Sequence, residues 1–201
     1  MIRLLIADDQ ALVRGALSAL LGLEPDIEVV AEVGRGDEVV AAAQAAAADV
    51  ALLDIEMPGM DGIAAAAALH AAFPACRVLI VTTFGRPGYL ARAMRSGASG
   101  FVVKDTPAAQ LADAVRRVAE GLRVVDPALA ADSLAQGASP LTERETDVLA
   151  AARTGGSNAD IARMLHLSEG TVRNHLSSAI GKTEGRNRAD AARIAEENGW
   201  L

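Results

Sequence analysis

The chain has 201 residues, 51% of them apolar when alanine is counted, and a formal net charge of −7 at pH 7. No uncharged run reaches the roughly 18 residues needed to span a bilayer, so neither a membrane segment nor direct membrane binding is expected. A single cysteine, Cys76, excludes an internal disulfide, and no metal-ligand spacing of Cys or His appears, so a reducing cytoplasm is the expected location.

The first residues, Met1 to Asp9, carry an apolar run too short for a secretory signal core that passes directly into two acids. They read as a first strand. Further apolar runs rich in β-branched residues follow at Ile27–Val33, Val50–Leu53, Arg77–Thr82 and Gly100–Val103, with helical patterns between them. Continuous rather than alternating hydrophobicity, as in Val50-Ala51-Leu52-Leu53, suits strands covered on both faces. Residues 1–121 are therefore expected to form a doubly wound α/β domain with a five-stranded parallel sheet. Residues 122–139 read as a linker, with Asp126-Pro127, an Ala-rich turn or two, and Gln136-Gly137-Ala138-Ser139 leading to Pro140. In residues 140–201 the strand signals vanish and four helices are expected. Thr142-x-x-Glu145 opens the first as a capping box, and Ser157-x-x-Asp160 opens the second after Gly155-Gly156. Ser168 caps the third, and the fourth runs from Asn187 to about Glu197.

Ligands of open α/β sheets bind outside the carboxyl ends of the strands. Here strand one ends in Asp8-Asp9, strand three in Asp54, strand four in Thr82-Thr83 and strand five in Lys104, and parallel strands bring these ends to one rim. Three carboxylates on a rim repel one another unless a cation sits among them. Mg²⁺ suits best, because it takes one or two carboxylates together with waters and phosphate oxygens. A lysine supplies a point charge for a phosphoryl oxygen, a threonine hydroxyl donates to another, and a carboxylate can itself accept the phosphoryl group.

With Asp8-Asp9, the stretch Asp54-Ile55-Glu56-Met57-Pro58-Gly59-Met60-Asp61-Gly62, Thr82 and Phe101-Val102-Val103-Lys104 in order, residues 1–121 resemble a receiver domain of flavodoxin-like fold. The resemblance implies Asp54 as phosphoacceptor and Lys104 as partner of the phosphoryl group. It implies Mg²⁺ bound by the Asp9 and Asp54 carboxylates and the backbone carbonyl of Glu56, with Asp8 acting mainly through water. Thr82 would be the switch hydroxyl and Phe101 the coupled aromatic. Phe101 stands where many receivers have tyrosine, and Thr83 where the pattern usually has alanine.

In Ser168–Lys182 the apolar residues Val172, Leu176, Ala179 and Ile180 fall on one helical face, and Arg173, Asn174, Ser177 and Ser178 on the other. Arginine pairs bidentately with guanine and asparagine with adenine in a major groove. Residues 140–201, with Pro140-Leu141-Thr142-Glu143-Arg144-Glu145, Asn158-x-x-Ile161-Ala162-x-x-Leu165 and Thr171-Val172-Arg173-Asn174-His175-Leu176, resemble the four-helix helix-turn-helix domain of the LuxR/NarL class. By that resemblance Arg173, Asn174 and Ser177 would face bases, and Thr171, His175 and Lys182 would lie nearer phosphates. Ser177 departs from the frequent lysine there. Residues 1–139 carry 11 Lys and Arg against 17 Asp and Glu, residues 140–201 carry 8 against 9, so DNA binding requires cations clustered on one face. Arg173, Lys182, Arg186 and Arg188 are the expected cluster, apart from Glu143, Glu145 and Asp147 on the first helix.

Together the two halves are expected to form a two-component response regulator of the NarL/FixJ family. Phosphorylation of Asp54 by a cognate sensor histidine kinase would promote a homodimer that binds double-stranded promoter DNA, with RNA polymerase as a further partner. The dimer face would be the first and fifth helices, or the fourth helix with strand five. Beyond its own phosphoryl transfer and dephosphorylation the chain is not expected to be an enzyme. An aspartyl-phosphate phosphatase would want aspartate where Glu56 stands, and a protein that binds DNA without phosphorylation would not need the full acid, threonine and lysine set.

Overall fold

A computed structural model describes residues 1–83, 87–136, 139–153 and 155–201, so Gly137 and Ala138 of the expected linker lie outside the described residues. The chain forms two compact units, the first from residues 1–83 and 90–131 and the second from residues 87–89 and 132–201.

The first unit is built on strands β1 (Ile2–Ala7), β2 (Ile27–Val33), β3 (Val50–Leu53), β4 (Arg77–Thr82), β5 (Gly100–Val103) and β6 (Val124–Val125). All pair in parallel, in the order β2-β1-β3-β4-β5-β6. Helices α1 (Ala11–Leu21), α2 (Val39–Ala45), α3 (Gly62–Ala72), α4 (Pro87–Arg95) and α5 (Ala108–Ala119) follow the strands in turn. Leu17 and Leu21 of α1 and Leu111, Val115 and Val118 of α5 pack on the sheet face that presents Leu4, Ile6, Leu52, Leu79 and Val81. The alternate residues Leu5, Ala7, Leu53, Ile80 and Phe101 point to the opposite face and are equally buried. Burial of both faces explains the unbroken hydrophobic runs.

The sheet corrects the sequence expectation in one respect: a sixth strand forms within residues 122–139. Val124 and Val125 pair with Gly100 and Phe101, a β-branched pair too short to leave a periodic signal. The Ala-rich stretch expected as turns is helix α6 (Pro127–Gln136). Asp126 Oδ1 accepts from the Ala128 and Leu129 amides at 2.8 and 3.2 Å, and Pro127 occupies the first helical position, where its missing N–H costs nothing.

The second unit holds α7 (Glu143–Ala152), α8 (Asn158–Leu165), α9 (Glu169–Lys182) and α10 (Arg188–Glu197). Both expected capping boxes close, at Thr142 with Glu145 and at Ser157 with Asp160, and Ser168 and Asn187 cap α9 and α10. Val148, Leu149, Ile161, Val172, Leu176 and Ala191 share one core. His166 takes the left-handed conformation (φ 54°) that ends α8 and turns the chain into α9.

Candidate functional site

The strand order reverses direction at β1 and β3, which is where a parallel sheet opens a crevice at its carboxyl edge. The ladder continues into the polar residues there. The Asp8 amide donates to the Val33 carbonyl (3.2 Å), the Asp54 amide to Ala7 (2.9 Å), and the Lys104 amide to Thr82 (2.8 Å). The backbone of each polar residue is therefore fixed by the sheet.

Carboxylate oxygens of Asp8, Asp9 and Asp54 lie within 4.8 Å of one another. Asp8 and Asp54 are buried, whereas Asp9 is exposed and forms the solvent side of the cluster. Lys104 Nζ stands 2.7 Å from Asp8 Oδ2 and 3.1 Å from Asp54 Oδ2. These are ion pairs by distance; the angles of approach do not make them aligned hydrogen bonds. The remaining carboxylate oxygens of the buried pair take backbone donors: Asp8 Oδ1 accepts from the Gln10 amide and Asp54 Oδ1 from the Ile55 amide, each at 2.9 Å. Burial raises the pKa of Asp54 and Asp8 adds to the effect, with Lys104 opposing. Burial also works against the Lys104 charge, but Asp8 and Asp54 outweigh it and raise its pKa.

Three carboxylates against one ammonium leave about two negative charges in a half-enclosed oxygen cluster. That donor set fits a hard divalent cation, and Mg²⁺ in particular, because the exposed Asp9 side leaves room for the waters this ion retains. Thr82 is buried at the end of β4. Phe101 pairs in register with Ile80, two residues before Thr82, so Phe101 and Thr82 share a sheet face. Phe101 is fully buried, while the Glu56 side chain is exposed in the loop after β3.

Sequence reasoning missed Arg14, whose Nη1 donates to the Asp8 carbonyl at 2.6 Å. It holds the loop that carries both β1 acids. A cation one turn into a helix gives no sequence signal that separates this role from a solvated one.

In the second unit α9 exposes Arg173, Asn174 and Ser177, half-exposes Thr171 and His175, and buries Val172, Leu176 and Ala179. Thr171 Oγ1 lies 2.8 Å from the Ser168 hydroxyl. Lys182 is otherwise engaged: its Nζ donates to Glu145 Oε2 at 2.7 Å, and the Ser178 hydroxyl donates to Glu145 Oε1 at 2.6 Å. Glu145 is buried, and Thr142 completes its shell through the capping box. Burial raises its pKa, but Lys182, Ser178 and Thr142 more than reverse this and hold it down at about 2.

Two of the four cations expected to cluster, Lys182 and Arg186, thus pair with carboxylates within the unit, whereas Arg188 meets an uncharged carbonyl and keeps its charge. Arg186 pairs with Asp190 (2.8 Å) and Arg188 donates to the Gly156 carbonyl (2.9 Å). Of the four cations expected to cluster, Arg173 is the one with no such partner among the described residues.

Residues 4–116 match the response regulator receiver domain, and residues 139–195 match the family described as bacterial regulatory proteins, luxR family. The chain is 43% identical to the uncharacterized transcriptional regulatory protein YvfU and 42% identical to the transcriptional regulatory protein DesR, both of Bacillus subtilis (strain 168). Each alignment spans 201 residues and covers 100% of both proteins. Among solved structures it resembles the response regulator ChrA of a heme-sensing two-component system, at a TM-score of 0.59 and 35% identity over 100% of this chain and 98% of that one.

Proposed function

Because the chain belongs to the response regulators that join a receiver domain to a LuxR-type helix-turn-helix domain, we propose that phosphoryl transfer to Asp54 controls its binding to promoter DNA. The observation that carries this reading is the cluster of Asp8, Asp9 and Asp54 around Lys104 at the carboxyl edge of the sheet. The division proposed is a receiver over residues 1–121, a connecting segment over 122–139 and a DNA-binding domain over 140–201.

A carboxylate oxygen of Asp54 attacks the phosphorus of a phosphohistidine on a sensor kinase; the new P–O bond forms as the P–N bond breaks and the imidazole leaves. Mg²⁺, held by Asp9, Asp54 and the Glu56 carbonyl, would offset the charge gathered on the phosphoryl oxygens. Both Asp8 oxygens are already engaged by Gln10 and Lys104, which supports a contact to the cation through water. Lys104, now against Asp54, pairs with a phosphoryl oxygen once the acceptor is modified. The Thr82 hydroxyl donates to another, and Phe101 on the same face transmits the change of packing.

The altered surface favours a homodimer, and Leu12, Leu20 and Leu23, exposed on and just after α1, support that helix as the contact. Two α9 helices then meet paired half-sites. Arg173, Asn174 and Ser177 face bases there, with Thr171, His175 and Lys182 toward phosphates. A cytoplasmic location and contact with RNA polymerase follow from the same reading.

Acetyl phosphate with Mg²⁺ should add one phosphoryl group to the full chain by intact mass, and EDTA should abolish the adduct; labelling that persists in EDTA would remove the metal from the account. Arg173→Ala should cost about 1–3 kcal/mol on a selected DNA site and relax preference at one base position. Anisotropy titrations on the site and its single-base variants measure both, and an equal loss on every sequence would reassign Arg173 to a phosphate.

A further inference from the structure

The loop from Asp54 to Gly62 carries Glu56, yet Glu56 itself is exposed and its neighbours make the contacts. Ile55 and Met57 are buried, and the Ile55 carbonyl accepts from the amides of both Met57 and Gly62, at 3.1 and 2.9 Å. The outer arm, Pro58 to Met60, is gripped by the corner between β2 and α2. The Gly36 amide donates to the Pro58 carbonyl at 3.2 Å. Gly36 is buried so closely against this arm that a Cβ there would stand 1.9 Å from the Met60 carbonyl oxygen. Gly59 has φ +79°, and a Cβ on it would lie 2.5 Å from the Asp37 carboxylate, which therefore rests directly on its α-carbon. Asp37 is itself oriented by Arg35, through Nε at 3.0 Å and Nη2 at 2.8 Å.

We infer that the corner Arg35-Gly36-Asp37 is a positioning element that fixes the loop bearing the Glu56 carbonyl and so sets the cation affinity of the acidic cluster. This rests on the reading of that cluster as an Mg²⁺ site. Mg²⁺ demands a nearly ideal octahedron, so one donor displaced by a fraction of an ångström weakens binding, whereas carboxylates on strand ends do not move with the loop. Positioning groups behind metal ligands commonly govern affinity by about 10–100-fold. Gly36 acts by admitting close approach, and Asp37 by bracing Gly59; neither touches the cation.

Isothermal titration of the full chain with Mg²⁺ tests the inference, alongside the Mg²⁺ dependence of labelling by acetyl phosphate. Gly36→Ala should raise the Mg²⁺ dissociation constant about 10-fold, and Asp37→Ala, on an exposed side chain, should raise it by a smaller factor. At saturating Mg²⁺ the labelling rate should return to that of the wild type, a split between affinity and rate that general loosening of the fold would not produce. Unchanged Mg²⁺ affinity in a folded Gly36→Ala protein overturns the inference and leaves the metal site standing. If Gly36→Ala does not fold by circular dichroism, Asp37→Ala decides, and wild-type affinity there overturns it equally. A wild-type chain that binds no Mg²⁺ overturns the metal site itself, and the positioning role with it.

Discussion

Asp54→Asn should abolish the phosphoryl adduct that wild type acquires from acetyl phosphate or from a sensor kinase, while leaving the fold intact. An amide of nearly the same shape keeps the Ile55 amide contact available through its oxygen, which Asp54 Oδ1 now accepts at 2.9 Å. It cannot act as the nucleophile, because the carboxylate electron pair that forms the P–O bond is gone. Lys104 retains Asp8 at 2.7 Å, so the substitution does not strand a buried ammonium. One negative charge leaves a site where burial and Asp8 already work against it. Stability should therefore change by less than about 1 kcal/mol or rise slightly. Intact mass and thermal denaturation give both quantities, and an adduct of wild-type yield on Asp54→Asn would place the acceptor elsewhere.

Acid should unfasten the second unit through Glu145. The folded pKa of this buried carboxyl, about 2, lies below its ordinary 4.5, so the unfolded chain takes up the proton first. The contribution to stability is complete above about pH 4.5 and is lost as pH falls toward 2. That interval corresponds to roughly 3 kcal/mol, which solvent around the half-exposed Lys182 reduces to about 2 kcal/mol. For a unit of this size the loss is roughly 10 °C in Tm. Trp200 packs against the same core, so its fluorescence reports unfolding there. Other carboxylates titrate over the same range, Asp190 among them, held low by Arg186 and Arg193. The quantity to compare is thus wild type minus Glu145→Gln: the gap should be widest at pH 5–7 and close by about pH 2. Parallel curves across that range would show that the Lys182 contact carries no net stability.

Asp8, Asp9, Asp54, Thr82 and Lys104 were legible in the sequence because each follows or ends an apolar run, and parallel strands bring such ends together without knowledge of any contact. The capping boxes of α7 and α8 were legible for a similar reason, since both partners lie within four residues. What escaped depends on long-range packing. Glu145 and Lys182 sit 37 positions apart, and their pairing requires α7 and α9 to be packed first, so the sequence reading keeps the two charges apart on separate helices. Arg14 acts on a backbone carbonyl, and Gly36 acts through the side chain it lacks; neither leaves a residue pattern. Strand β6 is two residues long, and α6 begins with Asp-Pro, which serves a turn as well as a helix cap.

The neutralised cations of the second unit bear on how the two halves work together. With Lys182 on Glu145 and Arg186 on Asp190, two of the four cations expected to cluster are paired with carboxylates, which moderates the electrostatic pull of one unit toward DNA. A protein of this kind gains most from pairing two recognition helices, and that is the step proposed to depend on Asp54. The most direct measurement is anisotropy titration of a DNA site obtained by selection from random sequence, using wild type and Asp54→Asn before and after treatment with acetyl phosphate and Mg²⁺. The account predicts tighter binding after treatment for wild type and no change for Asp54→Asn. Equal tightening in both proteins, or none in a wild-type sample shown by mass to be phosphorylated, would contradict it.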